Sequence, residues 1–303
     1  MRELFLQRPR LITSLMCGLC VYAVLTVQKY HLLEQVSFNW GLFSQPEATD
    51  TFGLGRYRVS IEARPLEGVV SDASALTYDP DRNTLFTVTN KNNELIELSL
   101  EGDVLRRIPL VGFGDTEAVE YIAPGQYVIS DEYEQRLISV QVTDSTTMLD
   151  AERFDQLRLG IGAGNNNGFE GLAYDPANQR MFVAKERRPA RIIEVRGFPV
   201  PRDASARKLE ISANEDLNDR LFVRDLSSLL FVPNTGHLLA LSDESLQIVE
   251  LNEHGHPIDN IMLNKDSMGL TEDIPQPEGL AMDADGTLYV VSEPNLFYAF
   301  KKR

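Results

Sequence analysis

Glutamate recurs at one position of a repeated pattern, directly before a short apolar segment. Residues 117–122 read EAVEYI, residues 170–175 read EGLAYD and residues 278–283 read EGLAMD. Carboxylate oxygens are the ligands that hard cations such as Ca²⁺ prefer, and these segments contain no histidine or cysteine that would favour Zn²⁺. A fold that brings the three glutamates together would therefore give them the chemistry of a metal site.

The pattern belongs to an internal repeat of about 50 residues. Each repeat has a Glu or Ser, a short apolar strand, a turn often of the Asp-Pro or Asp-Gly kind, and a second β-rich strand. Further strand-like runs follow, and four antiparallel strands in a repeat of this length are typical of a β-propeller blade. The sequence therefore predicts an all-β, five-bladed β-propeller, whereas a two-sheet sandwich would explain the strands but not the repeat. The repeats start at Ser74, Glu117, Glu170, Ser227 and Glu278.

One strand is missing from the last repeat, which has room for only three before residue 303. The segment RYRVSIEA, residues 56–63, precedes the first repeat and has no blade of its own. We expect this segment to supply the fourth strand of the last blade, because that pairing closes the ring and leaves no exposed sheet edge.

In a propeller, equivalent positions of the blades face one another around a central channel. The three glutamates should therefore surround one mouth of the channel, together with acidic residues that follow the second strands. Carboxylates brought together around a narrow channel repel one another, so the glutamates must bind a cation, take up protons or point into the solvent. We predict a Ca²⁺ site; the alternative is that each glutamate caps backbone amides. The predicted metal ligands are Glu117, Glu170, Glu278, Asp131 and Asp243.

The N-terminal part of the sequence has the features of a membrane anchor. Residues 11–27, LITSLMCGLCVYAVLTV, carry no charge and follow several arginines. We predict a basic tail and transmembrane signal anchor in residues 1–30, a stalk in residues 31–55 and the propeller in residues 56–303. The alternative is a buried apolar helix of a soluble protein. Positive charge before the run should keep that end in the cytoplasm and place the propeller across the membrane.

Charge and cysteine content exclude several classes of function. The net charge is −16, which argues against nucleic acid or an anionic membrane surface as a partner of the folded domain. Cys17 and Cys20 both lie in the apolar run, so the propeller has no disulfide, cysteine nucleophile or zinc-thiolate site.

Four motifs resemble the bacterial SdiA-regulated family: DASALTYDP, DTEAVEYI, GFEGLAYDP and QPEGLAMDADGTLYVVSEPN. The likeness covers residues 56–303. It implies a five-bladed propeller distantly similar to NHL-repeat proteins, a calcium site, and attachment to the inner membrane with the propeller in the periplasm. The Glu-Gly-Leu positions are also similar to those at which gluconolactonase and regucalcin propellers place metal ligands.

Two classes of function fit these observations. The first is a calcium-holding binding module whose acidic channel face recognises a ligand or protein partner. The alternative is a metal-dependent hydrolase acting on lactones or esters, in which the metal ion polarises a carbonyl. Asp131, Asp243 or Lys185 would then serve as base or acid.

Overall fold

The N-terminal region contains a short helix, residues 14–22. None of the helices that the structure describes is both long and apolar enough to cross a lipid bilayer. The rest of the predicted anchor and most of the predicted stalk lie outside the described residues. The computed structural model describes residues 14–22, 51–70, 72–160, 168–186, 190–200, 208–213, 215–218 and 220–303.

Strands dominate the described residues from Tyr57 onwards. Beyond residues 14–22, the described helical segments are four short turns: Leu54–Arg56, Ala151–Arg153, Glu215–Asn218 and Ser267–Gly269. The strands in chain order are β1 (Tyr57–Pro65), β2 (Ala73–Asp79), β3 (Thr84–Thr89), β4 (Glu94–Leu98), β5 (Val104–Val111), β6 (Val119–Ala123), β7 (Gln126–Asp131), β8 (Arg136–Gln141), β9 (Leu149–Asp150), β10 (Asp155–Arg158), β11 (Phe169–Asp175), β12 (Arg180–Lys185), β13 (Arg191–Arg196), β14 (Glu210–Ala213), β15 (Ser228–Val232), β16 (His237–Ser242), β17 (Gln247–Leu251), β18 (Pro257–Met262), β19 (Pro277–Met282), β20 (Leu288–Ser292) and β21 (Leu296–Lys302).

These strands form five sheets, which confirms the predicted five-bladed β-propeller. Blade 1 contains β2 to β5, blade 2 contains β6, β7, β8 and β10, blade 3 contains β11 to β14, and blade 4 contains β15 to β18. Blade 5 contains β19 to β21 and β1. The first strands of the blades, β2, β6, β11, β15 and β19, contact one another in a closed cycle and line the channel.

The predicted ring closure is present. Strand β1 pairs antiparallel with β21, from Tyr57 opposite Lys302 to Pro65 opposite Leu296. The Tyr57 hydroxyl also donates a hydrogen bond to the Gly286 carbonyl at 2.8 Å. The closing strand is therefore the predicted segment, extended to Pro65. A feature that the repeat did not predict is β9, which adds a short parallel fifth strand beside β5.

Packing against the propeller begins before residue 56, the predicted start of the domain. Leu54 is fully buried in the core of blades 4 and 5. The Phe52 amide donates to Glu250 Oε1 at 2.7 Å, and the same oxygen lies 2.7 Å from Nδ1 of the buried His237. Residues 52–54 therefore belong to the folded domain rather than to a stalk.

The apolar core lies between neighbouring blades. The Phe86 ring in blade 1 packs on the Tyr127 ring in blade 2, with centroids 4.9 Å apart. The Phe182 ring in blade 3 stacks on the Phe231 ring in blade 4 at 6.0 Å. Because each blade buries apolar side chains against the next, the closed ring is one continuous unit.

The glycine of the Glu-Gly-Leu motif has a packing role. A Cβ on Gly279 would lie 2.4 Å from the carbonyl carbon of Ala75 in the adjacent blade. A Cβ on Gly171 would lie 3.0 Å from the amide nitrogen of Leu229. The first strands approach so closely that only small residues fit after the glutamate or serine of each repeat. These residues are Ala75, Ala118, Gly171, Ser228 and Gly279.

Candidate metal centre

Two of the three repeated glutamates occupy β-bulges. Phe169 is opposite Lys185 and Gly171 is opposite Ala184, which leaves Glu170 as the extra residue of β11. Pairing in β19 skips Glu278 in the same way. A bulge locally rotates the strand and redirects the side chain of the extra residue. The glutamates therefore depart from the regular alternation of the strands that carry them.

Glu117, Glu170 and Glu278 lie close enough to repel one another electrostatically. Burial raises the pKa of Glu170 to about 11, and the neighbouring carboxyls of Glu186, Glu117 and Glu278 contribute further. Because these three glutamates approach one mouth of the channel, we call it the acidic mouth. A carboxyl with so high a pKa holds its proton at neutral pH when no cation is bound.

Burial is also the largest cause at Glu278, whose pKa rises to about 9, with repulsion from Asp243 next. Burial raises the pKa of Glu117 to about 8. A hydrogen bond that Asn90 Nδ2 donates to Glu117 at 2.8 Å has the opposite effect and lowers this pKa. Asp115 and Glu132 add repulsion at Glu117. The acidic mouth therefore concentrates carboxyl groups whose ionisation is costly.

Glu117 is also part of the most compact acidic group in the described residues. One oxygen each from Asp115, Glu117 and Glu132 lies within 4.8 Å of the others, and we call these residues the three-carboxylate group. Glu132 Oε1 accepts a hydrogen bond from the Gly168 amide at 2.8 Å, which fixes its side chain. Within the described residues, the buried Asn90 Oδ1 has no hydrogen-bond partner. Three carboxylate oxygens so close together form a donor set that suits a hard cation.

Asp131, predicted as a ligand, has a structural role instead. Its side chain is fully buried, and Oδ2 pairs with Arg136 Nη2 at 2.9 Å. Its oxygens also accept hydrogen bonds from the backbone amides of Gly114 and Asp115, at 3.0 and 3.3 Å, and of Glu134, at 3.2 Å. Asp131 therefore holds in place the loop that carries Asp115. A carboxylate with these partners is already neutralised by Arg136 and is poorly suited to act as a general base.

The remaining predicted residues occupy different parts of the acidic mouth. Asp243 is partly buried and close enough to Glu278 to raise its pKa, but it is not part of the three-carboxylate group. Lys185 is nearly buried, and burial lowers the pKa of its ammonium group. The serine of the fourth repeat, Ser227, donates a hydrogen bond to the Pro277 carbonyl at 2.7 Å and so supports the strand that carries Glu278.

Asp115 and Glu132 were not predicted as metal ligands. Asp115 lies in the loop two residues before Glu117, and Glu132 directly follows Asp131 at the end of β7. Asp131 ends β7 with its side chain buried against Arg136, whereas Glu132 lies in the following turn with its carboxyl close to that of Glu117. The acidic pair is visible in the sequence, but which of the two residues approaches Glu117 depends on where β7 ends.

This sheet topology and this acidic mouth define a five-bladed β-propeller with a candidate metal centre at one end of its channel. The family model described as SdiA-regulated matches residues 49–301. The chain belongs to the SdiA-regulated family.

Solved structures with a similar chain trace share little sequence with this protein. A luciferin-regenerating enzyme is 11% identical with a TM-score of 0.49, covering 80% of this chain and 95% of that chain. A calcium-binding protein, regucalcin from Agrobacterium tumefaciens, is 12% identical with a TM-score of 0.48, covering 79% and 93%. A nidogen/laminin complex is 13% identical with a TM-score of 0.47, covering 74% and 73%. The propeller assignment follows from the sheet topology of the chain itself.

Proposed function

We propose that the acidic mouth binds one Ca²⁺ ion and that the propeller is a binding module presenting this mouth to a ligand or protein partner. The observation that carries the proposal is the three-carboxylate group, in which oxygens of Asp115, Glu117 and Glu132 lie within 4.8 Å of one another. The buried Asn90 Oδ1, which has no hydrogen-bond partner among the described residues, would supply a fourth oxygen.

Calcium fits this donor set better than a transition metal. The four candidate ligands offer only oxygen, and hard oxygen donors favour Ca²⁺ over Zn²⁺. Burial is the largest cause of the raised pKa values of Glu117 and Glu170, and repulsion from neighbouring carboxyls adds to it. A divalent cation would offset this repulsion. Glu170 and Glu278 would contribute negative charge to the same mouth when the bound ion lowers their pKa enough to release their protons.

One observation favours a binding module over a hydrolase. Asp131, a candidate base of the hydrolase alternative, pairs with Arg136 and accepts backbone hydrogen bonds. Lys185, whose pKa is lowered by burial, stays a candidate acid or base of that alternative. Asp243 is the remaining candidate, and it lies near Glu278 rather than in the three-carboxylate group.

We also propose that residues 11–27 anchor the chain in the bacterial inner membrane, with the propeller in the periplasm. The support is the uncharged run and the arginines before it. In the described part of the run, apolar side chains are exposed, including Leu15 at 66% and Leu19 at 61%. Protease added to spheroplasts should digest the propeller of membrane-bound protein. Recovery of the chain in the soluble fraction after cell breakage would contradict this proposal.

Calorimetric titration of the full-length protein with CaCl₂ tests the calcium proposal. We expect one site in the parent, and a loss of at least about tenfold in affinity in Glu117→Gln, because an amide oxygen replaces a carboxylate. Glu210→Gln changes an exposed glutamate on β14 in the same way and is the matched control. If the parent does not bind calcium, or if Glu117→Gln binds as tightly as the parent, the proposal is wrong.

A further inference from the structure

The opposite mouth of the channel contains a cavity of about 760 Å³. It lies at the far ends of the first strands, where the Asp-Pro and Asp-Gly turns are. We call it the turn-side cavity. Apolar residues from four blades line it: Leu76, Ile122, Leu230 and Leu280. A volume of this size is typical of small-molecule sites.

A carboxyl group lies among these apolar residues. Glu120, in β6, lines the cavity and is held by both neighbouring blades. Its Oε2 accepts a hydrogen bond from the Thr77 hydroxyl at 3.0 Å, and its Oε1 accepts one from the Tyr174 amide at 3.0 Å. Both donors are neutral, so neither supplies a counter-charge. Burial raises the pKa of Glu120 to about 8, which is the expected result of placing a carboxyl in an apolar site.

Aromatic residues form a second part of the lining. Tyr78, Tyr121 and Tyr174 come from three successive blades and all line the cavity. The Tyr78 hydroxyl donates to Asn83 Oδ1 at 2.8 Å, and the Tyr121 hydroxyl donates to Asp81. These bonds fix the two rings at the cavity wall. Aromatic rings beside a carboxylate are the groups that recognise organic ammonium ions.

Other charged residues of the cavity are mostly engaged elsewhere. Lys302 Nζ donates to the Phe52 carbonyl at 2.7 Å and lies over the Phe52 ring. Asp283 accepts hydrogen bonds from the Tyr289 hydroxyl at 2.7 Å and from the Thr287 amide at 2.8 Å. Asp283 and Asp285 add negative charge to the lining, and Arg56 and Lys302 add positive charge, because the carbonyl and the ring that Lys302 contacts are both neutral.

We propose that the turn-side cavity binds a small organic cation, an apolar amine whose ammonium group pairs with Glu120 and whose hydrocarbon part contacts the apolar and aromatic lining. The cation would supply the counter-charge that Thr77 and the Tyr174 amide do not provide. The site lies at the opposite end of the channel from the three-carboxylate group, so the proposal does not depend on calcium binding.

Calorimetric titration of the full-length protein at about pH 8.5 tests this proposal, because a carboxyl with a pKa of about 8 is mostly ionised at that pH. The cationic probes are benzylamine, tryptamine and benzyltrimethylammonium. At least one should bind at a single site, whereas benzyl alcohol and benzoate should bind at least about tenfold more weakly than that probe. Glu120→Gln preserves the shape of the side chain and removes its charge. This substitution should lower the affinity for the cationic probe at least about tenfold and leave the affinity for benzyl alcohol unchanged.

Three controls locate the site. Glu210→Gln should bind the cationic probe as the parent does. Saturating CaCl₂ and Glu117→Gln should also leave its affinity unchanged, because both act at the acidic mouth. The proposal is overturned if none of the three cations binds, if Glu120→Gln binds them as tightly as the parent, or if Glu117→Gln causes the larger loss.

Discussion

Without calcium, the propeller should lose stability as the pH rises. In the folded chain the pKa values of Glu117, Glu278 and Glu170 are about 8, 9 and 11, against an ordinary value of 4.5. A folded-state pKa above the unfolded value means that the folded chain binds the proton more tightly. The resulting stability is fully present below the unfolded pKa and is lost as the pH rises through the folded value. Each such group lowers the free energy of unfolding by about 1.4 kcal/mol per pH unit across that window.

Urea unfolding in a calcium chelator at pH 6, 7 and 8 measures this effect. Comparing the parent with Glu117→Gln removes one carboxyl together with the repulsion that it exerts on Glu170 and Glu278. The free energy of unfolding of the parent should fall relative to that of Glu117→Gln by about 1.4 kcal/mol per pH unit, and less as pH 8 is approached. The free energy of unfolding of Glu210→Gln should change with pH in the same way as that of the parent. Parallel pH profiles of the parent and Glu117→Gln would refute the electrostatic reasoning.

Three further outcomes follow from the packing, and thermal or urea unfolding checks each of them. Gly279→Ala should destabilise the propeller by about 1–3 kcal/mol, because the added Cβ would lie 2.4 Å from the Ala75 carbonyl carbon. Gly55→Ala, where a Cβ would have no atom within 4 Å, is its control. Leu54→Ala should lower the free energy of unfolding by about 2–5 kcal/mol, since Leu54 is fully buried. An unchanged stability would mean that Leu54 does not belong to the folded domain. Deleting residues 1–65 should lower the melting temperature more than deleting residues 1–50, because removing β1 exposes the edge of β21.

The blades were predictable from the sequence because each is built from local hairpins. The strand, turn and strand of one repeat are contiguous, so their pattern survives in the order of the residues. Strand β1 was predictable by counting, since the last repeat lacked one strand. Strand β9 was not, because a pair of residues, Leu149–Asp150, shows no periodicity.

The N-terminal boundary of the domain was harder to predict, because it depends on contacts between residues that are far apart in the sequence. Phe52 and Leu54 contact residues about two hundred positions later in the sequence, including Glu250 and Asp259. Nothing in the local composition of residues 52–54 indicates such contacts. A polar and glycine-containing segment therefore had the appearance of a stalk although its apolar residues are packed.

The candidate site was predictable to the level of the channel mouth but not to its individual ligands. The repeat places Glu117, Glu170 and Glu278 at equivalent positions, and their mutual repulsion in the structure agrees with a shared location. The sequence shows the acidic pair Asp131 and Glu132 but not which of them approaches Glu117, because that depends on where β7 ends. The ion pair of Asp131 with Arg136, five residues later, depends on the hairpin between β7 and β8.

A crystal structure of the protein grown in excess CaCl₂ would show directly whether the acidic mouth binds calcium. We expect one ion there, with oxygens of Asp115, Glu117 and Glu132 at about 2.3–2.6 Å from it. Ordered carboxylates with no ion between them, or calcium bound only at sites away from these residues, would contradict the claim that the acidic mouth is a calcium centre.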